Sequence, residues 1–161
     1  MSASGRKSSA LTAITSAWLI VGVLDISSAF VIWWFRGVTW TRGLQGLASG
    51  LLGAKAFEGG FATAILGLAL HFLIALVVVT IFYLASRKLR FLTEHAFVSG
   101  LLYGSGVYLV MYWIVLPTTF PTFQHRLSND ALAIAIHITL IGLPTALVIG
   151  RQSSLKFNEV N

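Results

Sequence analysis

Cysteine is absent from this chain, and only five of its 161 residues are acidic. The first absence excludes a disulfide framework, a thiolate metal site and a cysteine nucleophile. The second leaves little material for acid–base hydrolysis by paired carboxylates. Charge of either sign is scarce, at 10% of residues, where soluble domains carry about a quarter. No nucleophile elbow, phosphate-binding glycine loop or H-E-x-x-H pattern occurs. An enzyme is therefore not expected.

What the chain does have is apolar surface, with 57% of residues hydrophobic. Too few polar side chains remain to cover a water-facing domain, so the sequence reads as an integral membrane protein. The formal charge of +6 then reflects topology and contact with anionic headgroups rather than nucleic acid. Membrane lipids are the expected partners.

Four apolar runs are long enough to cross a hydrocarbon core, which takes about 20 residues. They cover 14–35, 61–85, 96–117 and 131–150. The predicted fold is all-α, a single domain over 1–161, with four transmembrane helices in an up-down bundle. Pro117 and Pro121 are expected to close the third helix. Ser128, Asn129 and Asp130 offer caps for the fourth, and Pro144 is expected to distort it.

Lys and Arg number 11. Arg6, Lys7, Arg87, Lys88, Arg90, Arg151 and Lys156 fall on one side, and Arg36, Arg42, Lys55 and Arg126 on the other. The positive-inside rule then expects both termini in the cytoplasm. Trp33, Trp34, Trp40, Tyr112 and Trp113 would gather at the outer interface, with Trp18, Tyr83 and Phe91 at the inner one. Arg6 and Lys7, an apolar stretch and Ser27–Ala29 imitate a signal peptide. The apolar run continues through "FVIWWF", however, so an uncleaved first span is expected.

Between the first two spans, Leu44, Leu47, Leu51 and Leu52 recur at helical spacing, with Arg42, Gln45 and Ser49 as polar partners. This predicts an interfacial amphipathic helix. A faint parallel repeat aligns "LALHFLIAL" with "IAIHITLIG", and "VIWWF" with "VMYWIV".

Polar intruders in the spans are the candidate site. His71 and His137 interrupt apolar runs in helices of the same direction, roughly 10 and 6 residues from their outer ends, a depth difference of about 6 Å. Asp25 lies mid-span in the first helix and Tyr108 in the third, with Ser105 and Tyr112 on its face. A mid-span aspartate costs about 2.5–3.5 kcal/mol on insertion scales. The economical arrangement turns all four groups inward into one layer.

That layer admits three readings. It is a polar cluster that fixes helix register. Or Asp25, His71 and His137 bind a divalent metal or pass protons, as in a transporter. Or His71 and His137 are axial ligands of haem b in an electron carrier. Gly67, Gly100, Gly104, Gly106 and Gly142 would then make room for the porphyrin, and Arg36, Arg42 or Arg126 would reach its propionates. The "GLLYG" stretch (Gly100–Gly104) also has the G-x-x-x-G spacing of close helix packing. Glu58 with Lys55 reads as a solvated loop pair, and His95 and His125 as exposed.

The run "LQGLASGLLGAKAFEGGFATAILGLALHFLIA", with "GLLYGSGVYLVMYWIVLP" and a last-span "IH", resembles a group of small, uncharacterised bacterial inner-membrane proteins. Over residues 30–150 it is similar, more distantly, to an inner-membrane family associated with acid resistance, whose first outer loop is longer. The resemblance implies four spans, histidines at the positions of His71 and His137, and a link to acid stress.

The favoured reading is a non-catalytic bacterial inner-membrane protein without a cofactor. It would be an accessory subunit or a small-ligand or ion-binding bundle, within a larger membrane complex or a homo-oligomer.

Overall fold

The computed structural model describes residues 3–158, with side chains from 10 to 152. The side chains of Arg6, Lys7 and Lys156, counted in the charge balance, lie outside the described residues. Helices run α1 (Ala3–Phe35), α2 (Trp40–Leu52), α3 (Gly60–Ser86), α4 (Phe91–Glu94), α5 (Ala96–Val110), α6 (Leu116–Thr119), α7 (Leu127–Ile136) and α8 (Leu143–Asn158). Among the described residues there is no strand.

Four helical stretches are long and apolar enough to cross a membrane: Ala10–Phe35, Gly60–Ser86, Ala96–Thr119 and Leu127–Gln152. These four spans form the up-down bundle of a multi-pass membrane protein. The second is the most apolar, yet only 22% of its most apolar window is buried within the protein. Leu73, Val77, Ile81 and Leu84 all face outward. An apolar surface of this kind is matched by lipid and not by water.

α1 continues unbroken through Ser27–Ala29. The third and fourth spans are each interrupted by a π turn, Met111–Val115 and His137–Gly142. Both turns end at a Leu–Pro pair. The Leu116 amide donates to the Met111 carbonyl, and the Leu143 amide to that of Ile138, five residues back in each case. A proline one position later has no N–H to give and crowds the carbonyl four residues behind it. The wider turn absorbs that conflict without breaking the helix. Pro117 therefore does not close the third helix, which continues to Thr119, and the distortion expected at Pro144 is a π turn.

The capping expectation for the fourth helix also needs correction. The helix begins at Leu127, and its cap residue Arg126 makes no side-chain capping bond. Ser128, Asn129 and Asp130 therefore sit inside the first turn.

The expected amphipathic helix is α2, capped where Thr39 Oγ1 accepts the Arg42 amide at 3.3 Å. Its packed face differs from the leucine stripe read from the sequence. Gly43, Gln45 and Ala48 are buried, whereas Leu51 is 67% exposed. The reason is close approach to two spans: a Cβ on Gly67 of α3 would overlap the Leu44 carbonyl, and one on Gly43 the Trp33 ring of α1. Gln45 Nε2 fixes the contact by donating to the Gly60 carbonyl at 2.9 Å.

The core fills the half of the bundle nearer the termini. It contains Ala17, Val21, Val79, Phe82, Val107, Ile141, Ala146 and Ile149. Here the third and fourth spans touch backbone to backbone. A Cβ on Gly104 would lie 2.6 Å from the Ile138 Cα, and one on Gly142 would overlap the Gly100 carbonyl. "GLLYG" is thus a packing motif, and its partner is Gly142. Lipid provides no hydrophobic drive for helix association, so small residues that admit van der Waals contact supply it.

Candidate functional site

In the other half, toward α2, the spans diverge around a cavity of about 560 Å³. Its walls come from all four spans. Leu47, Gly50 and Leu51 of α2 also line it, as do Phe120 and Phe123. Asp25, His71 and His137 all line it. The structure thus brings three of the four residues singled out in the sequence to one space.

Each histidine is oriented by a backbone carbonyl. His71 Nε2 lies 3.0 Å from the Gly22 carbonyl of α1. A carbonyl only accepts, so Nε2 carries the proton and donates. That bond is made possible by Gly22, where a Cβ would meet the Phe72 ring at 2.5 Å. Trp18 Nε1 returns the link by donating to the Phe72 carbonyl at 2.7 Å. Trp18, expected at the inner interface, therefore spends its N–H within the bundle.

With Nε2 engaged, His71 turns Nδ1 toward Asp25 Oδ2 at 3.9 Å. His137 is held the opposite way. Its Nδ1 donates to the Ala133 carbonyl, one turn back, at 2.8 Å, which leaves Nε2 uncommitted. His137 is also the first residue of the π turn, whereas α3 runs as regular helix past His71. The two segments aligned as a repeat thus hold their histidines differently.

Tyr108 enters the layer in another role than expected. It is buried but does not line the cavity. Its ring stacks on Tyr112 at 4.8 Å and lies edge-on to His137 at 5.9 Å. Among the described residues no hydrogen bond joins its hydroxyl to Asp25 or to either histidine. Tyr112 reaches the cavity instead, edge-on to His137 at 5.8 Å. Its position four residues after Tyr108 is the signal that marks it in the sequence.

The cavity lining also includes Arg36, which the sequence offered for haem propionates, and Asn129 and Asp130, which it offered as caps. Arg36 Nη2 donates to Asn129 Oδ1 at 3.0 Å, tying the end of the first span to the start of the fourth. Asp130 Oδ2 lies 3.1 Å from His125 Nδ1, whose ring stacks on Trp113 at 4.3 Å. Arg42 is not at the cavity but sits 4.0 Å from the centre of the Phe57 ring.

No family model, curated protein or solved structure matches the chain.

For a metal ion, the relevant fact is that Asp25, His71 and His137 do not close into a ligand set. Among the described residues no group of three His, Asp or Glu side chains is placed to hold one. Bis-histidine haem ligation meets a different obstacle. His71 commits Nε2, the less hindered nitrogen, to Gly22 and offers only Nδ1, which is flanked by its own Cβ. What the arrangement does provide is a largely apolar chamber with the Asp25 carboxylate, two oriented imidazoles and a phenol on its wall, and with Asp130 and Arg36 also in its lining.

Proposed function

We propose that this is a non-catalytic membrane protein that binds a small molecule in the cavity between its spans. The observation that carries this reading is the convergence of Asp25, His71 and His137, from three different spans, on one chamber of about 560 Å³. Largely apolar pockets with a few oriented polar groups are the usual form of a small-molecule site. A cluster that served only as glue would engage its polar atoms with one another. Here Asp25 stands 3.9 Å from its histidine, beyond hydrogen-bond reach.

The test is thermal unfolding of the purified protein in lipid nanodiscs against cationic, anionic and neutral amphipathic probes. A ligand at about 100 times its Kd adds about 2.7 kcal/mol of stability. At least one class should raise the Tm of the native protein and not that of Ile74→Trp, which fills the chamber. If no probe stabilises the protein, or if all stabilise both forms equally, the reading is wrong.

The setting we propose is the bacterial inner membrane, as a subunit of a larger complex or a homo-oligomer, with both termini in the cytoplasm. The balance of Lys and Arg supports that orientation. Because the chain lacks cysteine, Glu58→Cys and Lys88→Cys each introduce a single label. An impermeant maleimide should reach the first in intact cells and the second only after permeabilisation; the reverse pattern would invert the topology.

A further inference from the structure

We infer that the cavity takes an organic monocation, an apolar body carrying one positive charge, in exchange for one proton carried by the Asp25–His71 pair. The inference rests on the ligand-binding reading above and adds the class of ligand.

The proton follows from the hydrogen bonds. His71 Nε2–H is donated to the Gly22 carbonyl, so in neutral His71 the atom facing Asp25 is the Nδ1 lone pair. A lone pair facing a carboxylate oxygen at 3.9 Å in an apolar chamber repels it. One proton removes the repulsion, either on Asp25 as the acid or on Nδ1 as an imidazolium. In both forms the pair is neutral overall.

The other charged and titratable groups facing the chamber do not substitute for that proton. From the first span Arg36 is engaged by Asn129 at the mouth. From the fourth, Asp130 pairs with His125, and His137 donates Nδ1–H to its own helix. The third span contributes the rings of Tyr112 and, behind it, Tyr108. α2 lines the chamber with Leu47, Gly50 and Leu51 alone. With the histidines neutral, Asp25 and Asp130 against Arg36 leave the lining one negative charge in excess.

The walls fit the same class of ligand. Trp33, Tyr112, Phe120 and Phe123 all border the chamber, and aromatic faces attract cations most strongly where water is excluded. A bare metal ion would need the three-ligand group that the described residues do not form; an organic cation needs only one counter-charge and apolar walls. Binding balances as follows: the cation enters, Asp25 becomes its carboxylate partner, the proton leaves for solvent, and the net charge of the chamber is unchanged.

The probes are tetraphenylphosphonium and tetraphenylborate, which have the same shape, opposite charge and no titratable group. Any pH dependence of their binding therefore belongs to the protein. In nanodiscs the cation should bind at least tenfold tighter than the anion. Its Kd should fall about tenfold per pH unit on the acid side, where each bound cation releases one proton. Asp25→Asn, checked for retained helicity by circular dichroism, should lose both the tenfold preference and the pH slope.

If the anion binds as tightly as the cation and Ile74→Trp abolishes both, the chamber is a binding site but the choice of a cation is wrong. A cation preference with no pH slope, or one that survives Asp25→Asn, overturns the proton exchange. Binding of both ions that is indifferent to Ile74→Trp, or binding of neither, overturns this inference; only failure of the wider probe panel overturns the ligand-binding reading as well.

Discussion

The two halves of this bundle use the same apolar alphabet to opposite ends. Near the termini the spans close on Val79, Phe82, Ala146 and Ile149, all essentially inaccessible. Polar side chains there bond to backbone or to each other: Tyr103 donates to the Val78 carbonyl at 2.6 Å, Ser86 to that of Tyr83 at 2.8 Å, and Gln152 Nε2 to Ser16 Oγ at 2.8 Å. Among the described residues, Thr145 Oγ1 is the buried side-chain polar atom without a partner. Toward α2 the spans separate, and among the described residues neither the Asp25 carboxylate nor Nε2 of His137 has a hydrogen-bond partner. The difference begins at the helix contacts. Gly100, Gly104 and Gly142 let two spans touch at one level; at the other, Met111, Tyr112, Leu132 and Ile136 hold them apart around the chamber. Both π turns contribute lining residues, so the Leu–Pro pairs shape the open half.

The contrast is most directly broken at Gly142. Gly142→Val drives side-chain atoms into the Gly100 carbonyl, and we expect a loss of more than about 3 kcal/mol. Thermal unfolding followed by circular dichroism reads the effect, and an unchanged Tm would mean the glycine contact is dispensable. Next comes a paired measurement. Phe82→Ala should cost about 3–5 kcal/mol, whereas Ile74→Ala, at a position 44% exposed beside the chamber, should cost less than about 1 kcal/mol. Equal costs would erase the distinction between a packed and an open half.

Asp25→Leu should act in the other direction. Removing a mid-span carboxylate recovers part of the roughly 2.5–3.5 kcal/mol it costs on insertion. A higher Tm with lost ligand response is the signature of a residue kept for function; a lower Tm would make Asp25 structural. His71→Phe removes the bond to Gly22, and interhelical polar contacts of this kind contribute about 0.6–1.7 kcal/mol. A loss well above that range would show His71 to be chiefly a structural clamp. Smallest of all, Arg36→Ala breaks an exposed tie to Asn129 and should shift stability by less than about 0.5 kcal/mol; a larger shift would mean that the mouth helps hold the bundle closed.

Some of the site was legible before any geometry. Charged and imidazole groups inside apolar runs stand out because lipid makes them costly, and that cost pointed to Asp25, His71 and His137. The same argument selects Tyr108, whose contacts with Tyr112 and His137 are made by its ring. Asn129 and Asp130 read in the sequence as helix caps, and Arg36 as a residue outside the span that would reach down to a haem. Nothing local distinguishes a helix-end polar residue that faces a chamber from one that faces water.

Sequence alone determined that this is a multi-pass membrane protein, how many times it crosses, and which groups are out of place in its spans. Those properties are sums over contiguous residues, measured against a bilayer of fixed thickness. Tertiary structure decided which nitrogen of each histidine is engaged and that "GLLYG" meets Gly142. These outcomes depend on helix rotation. A span apolar on every side has no amphipathic face to reveal its rotation, so only contact with segments distant in the chain fixes it.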